Sequence, residues 1–325
     1  MRPIGGFFEL ENIRKRRKTF LHDDALALSS GRASLNLILQ RVSPSRVYLP
    51  FYTCDALLEP LILNKIPYVF YSLTTALEPA QEISLKRNES FIYINYFGLK
   101  TDCIKKLITI HGERLIVDNT QAFFEGKYQN IFSFNSARKV FGVPDGSFLY
   151  SPQPINRTFT ENTAISTNHL INRTLGLLDT AYREFTEYEK SITCEIRQIS
   201  NTSRNILETI DYDRISQIRR NNFTFFAEHF DAVNTFSYHL TETAVPFCYP
   251  LIPECTIDKT LFHNRNIFVP TLWKDVLQRG NEDFSLEKSI SSRLLPLPID
   301  HRYSVSDLQP VVETVTKCIQ SAKSD

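Results

Sequence analysis

One lysine of this sequence lies where its amine could take part in chemistry. Lys139 occupies a polar loop between two apolar, aromatic-rich runs, 131–134 and 147–150, which predict short strands. The loop closes on Pro144, Asp145 and Gly146, residue types that favour turns. A lysine in a loop between buried strands can reach a bound cofactor, although a lone loop lysine is more often an ordinary solvated residue.

An aspartate and the start of a predicted helix accompany this lysine. Asp118 follows the apolar run 115–117, a predicted strand, and Ser30 and Gly31 precede an apolar-periodic segment that predicts a serine-capped helix. Open α/β sheets bind ligands beyond the carboxyl ends of their strands, and helix N-termini suit phosphates. Taken alone, Asp118 is equally well explained as the cap of a helix that begins at Asn119.

A lysine, a carboxylate and a helix N-terminus that meet at one place are what pyridoxal phosphate (PLP) requires. The amine forms an imine with the aldehyde, the carboxylate keeps the pyridine nitrogen protonated, and the amides hold the phosphate. No G-x-G-x-x-G follows a predicted strand, which argues against a dinucleotide. The seven histidines lack paired ligand spacing, so no metal site is expected. The segment 298–303 combines acid, base and cation, and a turn with structural ion pairs is the favoured interpretation.

Strand and helix patterns alternate along the first half of the chain, which predicts an α/β fold with a mainly parallel sheet. The strands predicted there, besides the two that flank Lys139, are 47–50, 68–71, 91–95 and 115–117, and the helices are 35–42, 56–63 and 101–110. A polar excursion over 152–168 precedes helices predicted at 175–193, 195–210 and 215–230. Short strands at 244–252, 267–270 and 294–299 and a helix at 305–322 follow. We therefore expect a large cofactor-binding α/β domain over 1–210 and a small α+β domain over 211–325.

Composition excludes several classes of protein. The 37 Lys and Arg balance 36 Asp and Glu, which argues against a nucleic-acid binder, and the basic run 14–18 between acidic residues predicts a solvated helix face. The six cysteines are scattered without a C-x-x-C pair, as in reducing compartments. No signal peptide and no apolar run of the roughly 20 residues needed to span a membrane is apparent, so we expect a cytoplasmic protein.

Five segments together resemble the nucleotide-sugar aminotransferases of the DegT/DnrJ group, which are fold-type I PLP enzymes. They occur in that family's order and approximate spacing, at 30–35, 49–53, 93–98, 117–122 and 139–146. The resemblance covers about residues 4 to 150 well and the remainder in outline. It implies a mainly parallel mixed sheet flanked by helices, with a smaller C-terminal α+β domain.

The resemblance implies roles for individual residues. Asp118 would be the partner of the ring nitrogen, Gln121 the group near the ring hydroxyl, and Lys139 the imine lysine, six residues before Asp145.

The phosphate group would lie on the turn formed by Gly31, Arg32 and Ala33, with Arg32 adding charge unless it pairs with an upstream aspartate. A serine usually precedes the lysine by five residues; here Ser133 and Ser136 flank that position, and Ser133 is the favoured phosphate ligand.

Two features depart from the family pattern. Cys54 occupies the place of the aromatic residue that usually stacks on the ring, so Tyr52 or Tyr96 is expected to stack there instead. The family segment that carries partner-subunit residues into the site is not recognisable after Tyr150. Fold-type I sites are shared across a two-fold interface, and the resemblance therefore implies a homodimer.

The leading hypothesis is an aminotransferase that moves an amino group, from glutamate by resemblance, to a nucleotide-linked keto-sugar in polysaccharide or antigen synthesis. A PLP-dependent sugar dehydratase is one alternative, but family members of that kind replace the lysine with histidine, and Lys139 argues against it. A second alternative is a non-catalytic family member that binds a sugar nucleotide or a partner protein.

Overall fold

Eleven strands occur in the part of the chain that the computed structural model describes, residues 4–11, 21–280 and 282–322. They are β1 Ile4–Gly5, β2 Leu26–Leu28, β3 Arg46–Pro50, β4 Tyr68–Tyr71, β5 Glu89–Ile94, β6 Leu115–Asn119, β7 Phe132–Asn135, β8 Ser147–Tyr150, β9 Tyr249–Leu251, β10 Ile267–Phe268 and β11 Leu295–Leu297. Every strand predicted from the sequence has a counterpart here, with shifted ends in several cases.

Seven of these strands form the central sheet, in the order β2-β8-β7-β6-β5-β3-β4. Strands β7, β6, β5, β3 and β4 are parallel to their neighbours, whereas β8 is antiparallel to both β7 and β2. Six strands therefore run in one direction, and their carboxyl ends lie at one edge of the sheet. The predicted fold class, a mainly parallel mixed sheet flanked by helices, is confirmed.

The α-helices pack around this sheet and continue into the C-terminal region. They are α1 Gly31–Val42, α2 Glu59–Leu63, α3 Thr101–His111, α4 Asn168–Thr174, α5 Leu178–Ser191, α6 Asn201–Leu207, α7 Tyr212–Phe230, α8 Thr260–His263, α9 Lys274–Gln278, α10 Ser285–Arg293 and α11 Val305–Ala322. The first and last were predicted closely, because a serine cap and a long apolar periodicity mark them.

Burial explains why the central strands have nearly continuous apolar sequences. All residues of β5, β6, β7 and β8 are buried, since helices cover both faces of the sheet. No helix among the described residues is long and apolar enough to cross a membrane.

The C-terminal region contains two small sheets. Strands β9 and β11 pair antiparallel, and the N-terminal strand β1 pairs parallel with β10, so the first described residues join a region distant in sequence. One apolar cluster includes residues from both halves of the chain, for example Leu49 and Leu297. The division into domains at residue 210 remains a prediction.

Two helix predictions need correction. The helix predicted over 195–210 is present only as α6, because the backbone before it is extended: the Ser29 amide donates to the Arg197 carbonyl, and Ser200 caps the helix. The helix predicted over 175–193 is present as α5, which starts only at Leu178 because Gly176, with a φ of +77°, separates it from α4. The basic run 14–18 lies outside the described residues.

Candidate active site

A cleft of about 1590 Å³ opens at the carboxyl edge of the sheet. It is lined by residues that the sequence analysis placed at the site, among them Ser30, Gly31, Arg32, Asp118, Ser136 and Lys139. Helices α4 and α5 and the segment 258–275 form its other walls. The site thus lies where parallel strands end, as the sheet topology leads one to expect.

The start of α1 faces this cleft. The Ser30 hydroxyl accepts a hydrogen bond from the Ala33 amide at 3.1 Å, and Ala33 is fully buried. The amides of Gly31 and Arg32 belong to the first helical turn, where no intrahelical acceptor exists. An anion in the cleft would therefore meet the amides of Gly31 and Arg32, while that of Ala33 is already used by the cap.

The side chain of Arg32 has a partner within the cleft wall. Its Nε donates to a carboxylate oxygen of Glu59 at 2.7 Å, at the first residue of α2. The sequence analysis considered an ion pair between Arg32 and an upstream aspartate. In the structure Arg32 pairs with Glu59 instead. The pair fixes the guanidinium group at the mouth of the α1 N-terminus.

Asp118 is a buried carboxylate at the end of β6. Its Oδ1 accepts a hydrogen bond from the Thr120 amide at 2.7 Å, and its side chain faces the cleft. Burial raises the pKa of Asp118, and the Thr120 hydrogen bonds and the Lys139 ammonium group oppose that increase. A cation or N–H donor in the cleft would stabilise the ionised form further.

Lys139 ends a 3₁₀ turn, Ala137–Lys139, that follows β7 directly. Among the described residues, its amine has no hydrogen-bond or ion-pair partner, and it lines the same cleft as Asp118. Burial raises the pKa of the neighbouring Cys54 thiol, and the charges of Lys139 and Asp118 act on that thiol in opposite directions. The amine, the carboxylate and the thiol all belong to residues that line this cleft.

Asp145 and Gly146, at the end of the loop that carries Lys139, hold this loop in place. The Gly146 amide donates to the Ser29 carbonyl at 2.8 Å, and the Gly146 carbonyl accepts from the Ala137 amide at 2.9 Å. The Asp145 carboxylate accepts hydrogen bonds from Ser200 and from Asn162, at 2.7 and 2.9 Å. These contacts connect the lysine turn to the residues that precede α1.

The structure separates the two serines proposed as phosphate ligands. In the β6–β7 pairing Asp118 lies opposite Phe134 and Val117 opposite Ser133, so Ser133 points to the other face of the sheet. Ser133 is fully buried and its hydroxyl has no partner among the described residues. Ser136 lines the cleft instead. The structure therefore places Ser136 in the cleft and not Ser133, the serine favoured from the sequence, because alternation along β7 turns Ser133 to the other face of the sheet.

Gln121 and Tyr52 are buried behind the cleft. The Gln121 Oε1 accepts from the Phe97 amide at 2.9 Å, and its Nε2 is buried without a partner in the described chain. The Tyr52 hydroxyl donates to the Leu272 carbonyl, and its ring stacks on that of Tyr96 at 5.7 Å between centroids. Neither residue lines the cleft, so the stacking role expected of Tyr52 is not supported.

Several residues that line the cleft were not predicted from the sequence. Trp273, whose ring lies 5.0 Å from that of Tyr52, is the aromatic residue that reaches the cleft from this cluster. Lys259 donates to the Thr271 hydroxyl at 3.0 Å, and Lys274 lies beside it. These residues come from a segment far along the chain, where no local motif marks them.

No family model matches the chain, and no curated protein matches it. Solved structures do. Spr1654 of Streptococcus pneumoniae in its PLP form is 12% identical over 93% of this chain and 89% of its own, with a TM-score of 0.66. The sugar aminotransferase CalS13 of Micromonospora echinospora is 14% identical over 90% and 87%, with a TM-score of 0.65. A DegT DnrJ EryC1 StrS aminotransferase of Brucella abortus is 15% identical over 90% and 85%, with a TM-score of 0.61.

These likenesses span nearly the whole of each chain, and at such low identity they establish the fold. The architecture of this protein is that of fold-type I sugar aminotransferases. The resemblance drawn from five short segments is thereby confirmed at the level of the fold, and it extends past residue 150, where the sequence supported it only in outline.

Proposed function

We propose that this protein is a PLP-dependent aminotransferase whose substrate is a nucleotide-linked keto-sugar. One observation carries the proposal: the Lys139 amine, the Asp118 carboxylate and the first turn of α1 line one cleft at the carboxyl edge of the sheet. The fold, shared with sugar aminotransferases, supports the same assignment.

The residues present fit the cofactor. Asp118 is buried with its pKa raised by burial, and a pyridinium N–H would supply the donor that restores its charge. The Lys139 amine has no partner in the described chain, so it is available to the aldehyde carbon. The Gly31 and Arg32 amides and the Ser136 hydroxyl would hold the phosphate. Trp273, one of several aromatic residues that line the cleft, would contact the ring.

The bound cofactor supplies an electron sink for the carbon from which a proton is removed. Lys139 would act as base and acid: its Nζ would move a proton from the α-carbon of the amino donor to the cofactor carbon, and in the reverse direction when the keto-sugar takes the amine. The Asp118 carboxylate would keep the ring nitrogen protonated. The Arg32–Glu59 ion pair holds the guanidinium group at the first turn of α1, whose amides would hold the phosphate.

The cleft is larger than an amino acid and the cofactor need. Its volume of about 1590 Å³ exceeds the roughly 300–1,000 Å³ that is usual for small-molecule sites. Lys259 and Lys274 line it without a carboxylate within ion-pair distance among the described residues. A diphosphate between sugar and nucleoside would suit this wall. Glutamate as donor, a role in polysaccharide or antigen synthesis and a homodimer are further parts of the proposal.

Loading with PLP tests the assignment. The purified protein is expected to show a visible absorbance band that borohydride fixes covalently to Lys139. Lys139→Ala should abolish the trapping and the turnover. Lys106→Ala, which changes an exposed lysine on α3, is the matched control and should leave both unchanged. A protein that stays colourless with PLP would instead be a non-catalytic binder.

Glutamate separates the two enzymatic alternatives. A transaminase converts the loaded cofactor to its amine form when glutamate is added, with loss of the visible band and release of 2-oxoglutarate. A sugar dehydratase would leave the band in place. Persistence of the band with every amino acid tested would contradict the aminotransferase proposal.

A further inference from the structure

Two consecutive residues of α5 hold both ends of the loop that carries Lys139. The Tyr188 hydroxyl donates to the Pro144 carbonyl at 2.9 Å, near the end of the loop. The Glu189 carboxylate forms an ion pair with Arg138, the residue before Lys139. The Arg138 guanidinium group also lies over the Tyr188 ring, 5.4 Å from its centroid.

Besides these contacts, α5 packs against α4, where the His169 ring lies 5.3 Å from that of Tyr188. Only Ala181 and Tyr188 are buried in this helix, and most of its remaining side chains face the cleft or the solvent. Glu189 itself lines the cleft with 36% of its side chain exposed. The position of the Glu189 carboxylate and that of the lysine turn therefore depend on each other.

The charge of Glu189 extends beyond its ion pair. Burial acts to raise the pKa of Glu189, but Arg138, Lys139 and Arg32 outweigh it, and the pKa is lowered. Glu189 is thus ionised at neutral pH and lines the same cleft as Lys139.

The other titratable groups around Lys139 come from separate elements. Asp118 faces it from β6 and Cys54 from the segment after β3. Arg138 precedes it in the chain, and Arg32 is paired with Glu59. Asp118 would be committed to the cofactor ring and Glu59 is paired with Arg32, so Glu189 is the cleft carboxylate that its ion pair with Arg138 connects to the lysine turn.

We propose that Glu189 is a positioning residue for Lys139, fixing the lysine turn through Arg138 and stabilising positive charge on the lysine nitrogen. This inference rests on the proposed function, because it concerns Lys139 when that residue holds the cofactor. Glu189 does not contact the reacting atoms in this assignment. Glu189 acts through its ion pair with Arg138 and through the electrostatic effect of its negative charge on the lysine nitrogen.

The test is a pH titration of the visible absorbance band of the PLP-loaded protein. Loss of the carboxylate destabilises the protonated nitrogen, so Glu189→Gln should lower the midpoint by about 0.5–1 pH unit. Arg138→Gln removes the neighbouring cation and leaves the carboxylate, and it should raise the midpoint. Glu189→Asp keeps the charge and should restore most of the wild-type value.

Glu187→Gln is the matched control, because it removes an exposed carboxylate of the same helix that does not line the cleft. Its midpoint should equal that of the wild type. Opposite shifts in Glu189→Gln and Arg138→Gln support the inference, and an unshifted midpoint in either variant overturns it. A wild-type protein that forms no visible band overturns the proposed function instead, so the two failures can be told apart.

Discussion

Burial raises the pKa of Asp118, and the ammonium group of Lys139 opposes that increase across the cleft. The two residues come from different strand ends, β6 and β7, and the parallel pairing of these strands brings them together. The ionised form of Asp118 is only partly stabilised, and the Lys139 amine has no partner in the described chain. A ligand that donates to the carboxylate and bonds to the amine would therefore suit this site.

Replacement of Asp118 tests this relationship. Asp118→Asn keeps the shape and the hydrogen bond from Thr120 but cannot stabilise a protonated ring nitrogen, so turnover should fall about 10²–10³-fold. The visible band should still form, because Lys139 is intact. Steady-state kinetics and absorbance together measure the two effects. Equal turnover in the variant and the wild type would contradict the assigned role.

The charge of Lys259 makes a pH-dependent prediction. Burial and the neighbouring Lys274 lower the pKa of Lys259 to about 8, so its ammonium group loses its proton above that pH. Binding of uridine diphosphate should weaken as the pH rises through about 8, as measured by calorimetry at pH 7 and pH 9.

Two variants test whether Lys259 itself binds the diphosphate. Lys259→Gln should weaken binding about tenfold at pH 7 and remove most of the pH dependence, since one charge is lost. Lys106→Gln, on the exposed side of α3, should bind like the wild type. Undiminished binding in Lys259→Gln would show that the diphosphate lies elsewhere.

Gly146 has a conformational role that a substitution can expose. Its φ is +127°, and a Cβ there would lie 2.9 Å from Ile199 Cδ1 and 3.2 Å from Ala137 Cβ. Gly146→Ala should therefore destabilise the protein by about 1–3 kcal/mol and lower PLP occupancy, because Ala137 begins the lysine turn.

Gly126→Ala is the control for that substitution, since nothing lies within 4 Å of a Cβ at position 126. Urea unfolding and the absorbance of the loaded protein measure both variants. If Gly146→Ala keeps the stability and the cofactor occupancy of Gly126→Ala, the close approach at the end of the lysine loop is not needed.

The buried histidine His22 predicts how stability depends on pH. Burial lowers its pKa to about 4, from 6.5 in the unfolded chain, so the unfolded state takes up a proton first as the pH falls. The stability that the neutral His22 provides is complete above pH 6.5 and is lost as the pH falls toward 4. The loss should reach about 1–3 kcal/mol.

Urea unfolding at pH 7.5 and pH 5 measures this loss. His22→Gln retains a group that can bond to the Tyr150 hydroxyl, which lies 2.6 Å from His22 Nδ1, but it cannot titrate. Its stability should therefore change less between the two pH values. An identical pH dependence in the variant would assign the effect to other groups, His169 among them, whose pKa burial also lowers to about 4.

The sequence by itself determined the fold class, most strand positions and the residues on the near side of the cleft. Apolar runs that end at Asp118 and before Lys139, and a serine cap before Gly31, are local signals, and the rule that parallel strands end at one edge places all three together. The bounds of helix α11 could also be predicted from the sequence, because its apolar residues recur with helical periodicity over all 18 residues.

Tertiary structure alone decided which side chains enter the cleft and what faces them. Strand alternation turns Ser133 away and leaves Ser136, and packing buries Tyr52 while Trp273 arrives from a distant segment. The pairing of Arg138 with Glu189 likewise depends on α5 folding back over the lysine turn. Such contacts join residues far apart in the chain, so they cannot be predicted from the spacing of residues along the sequence.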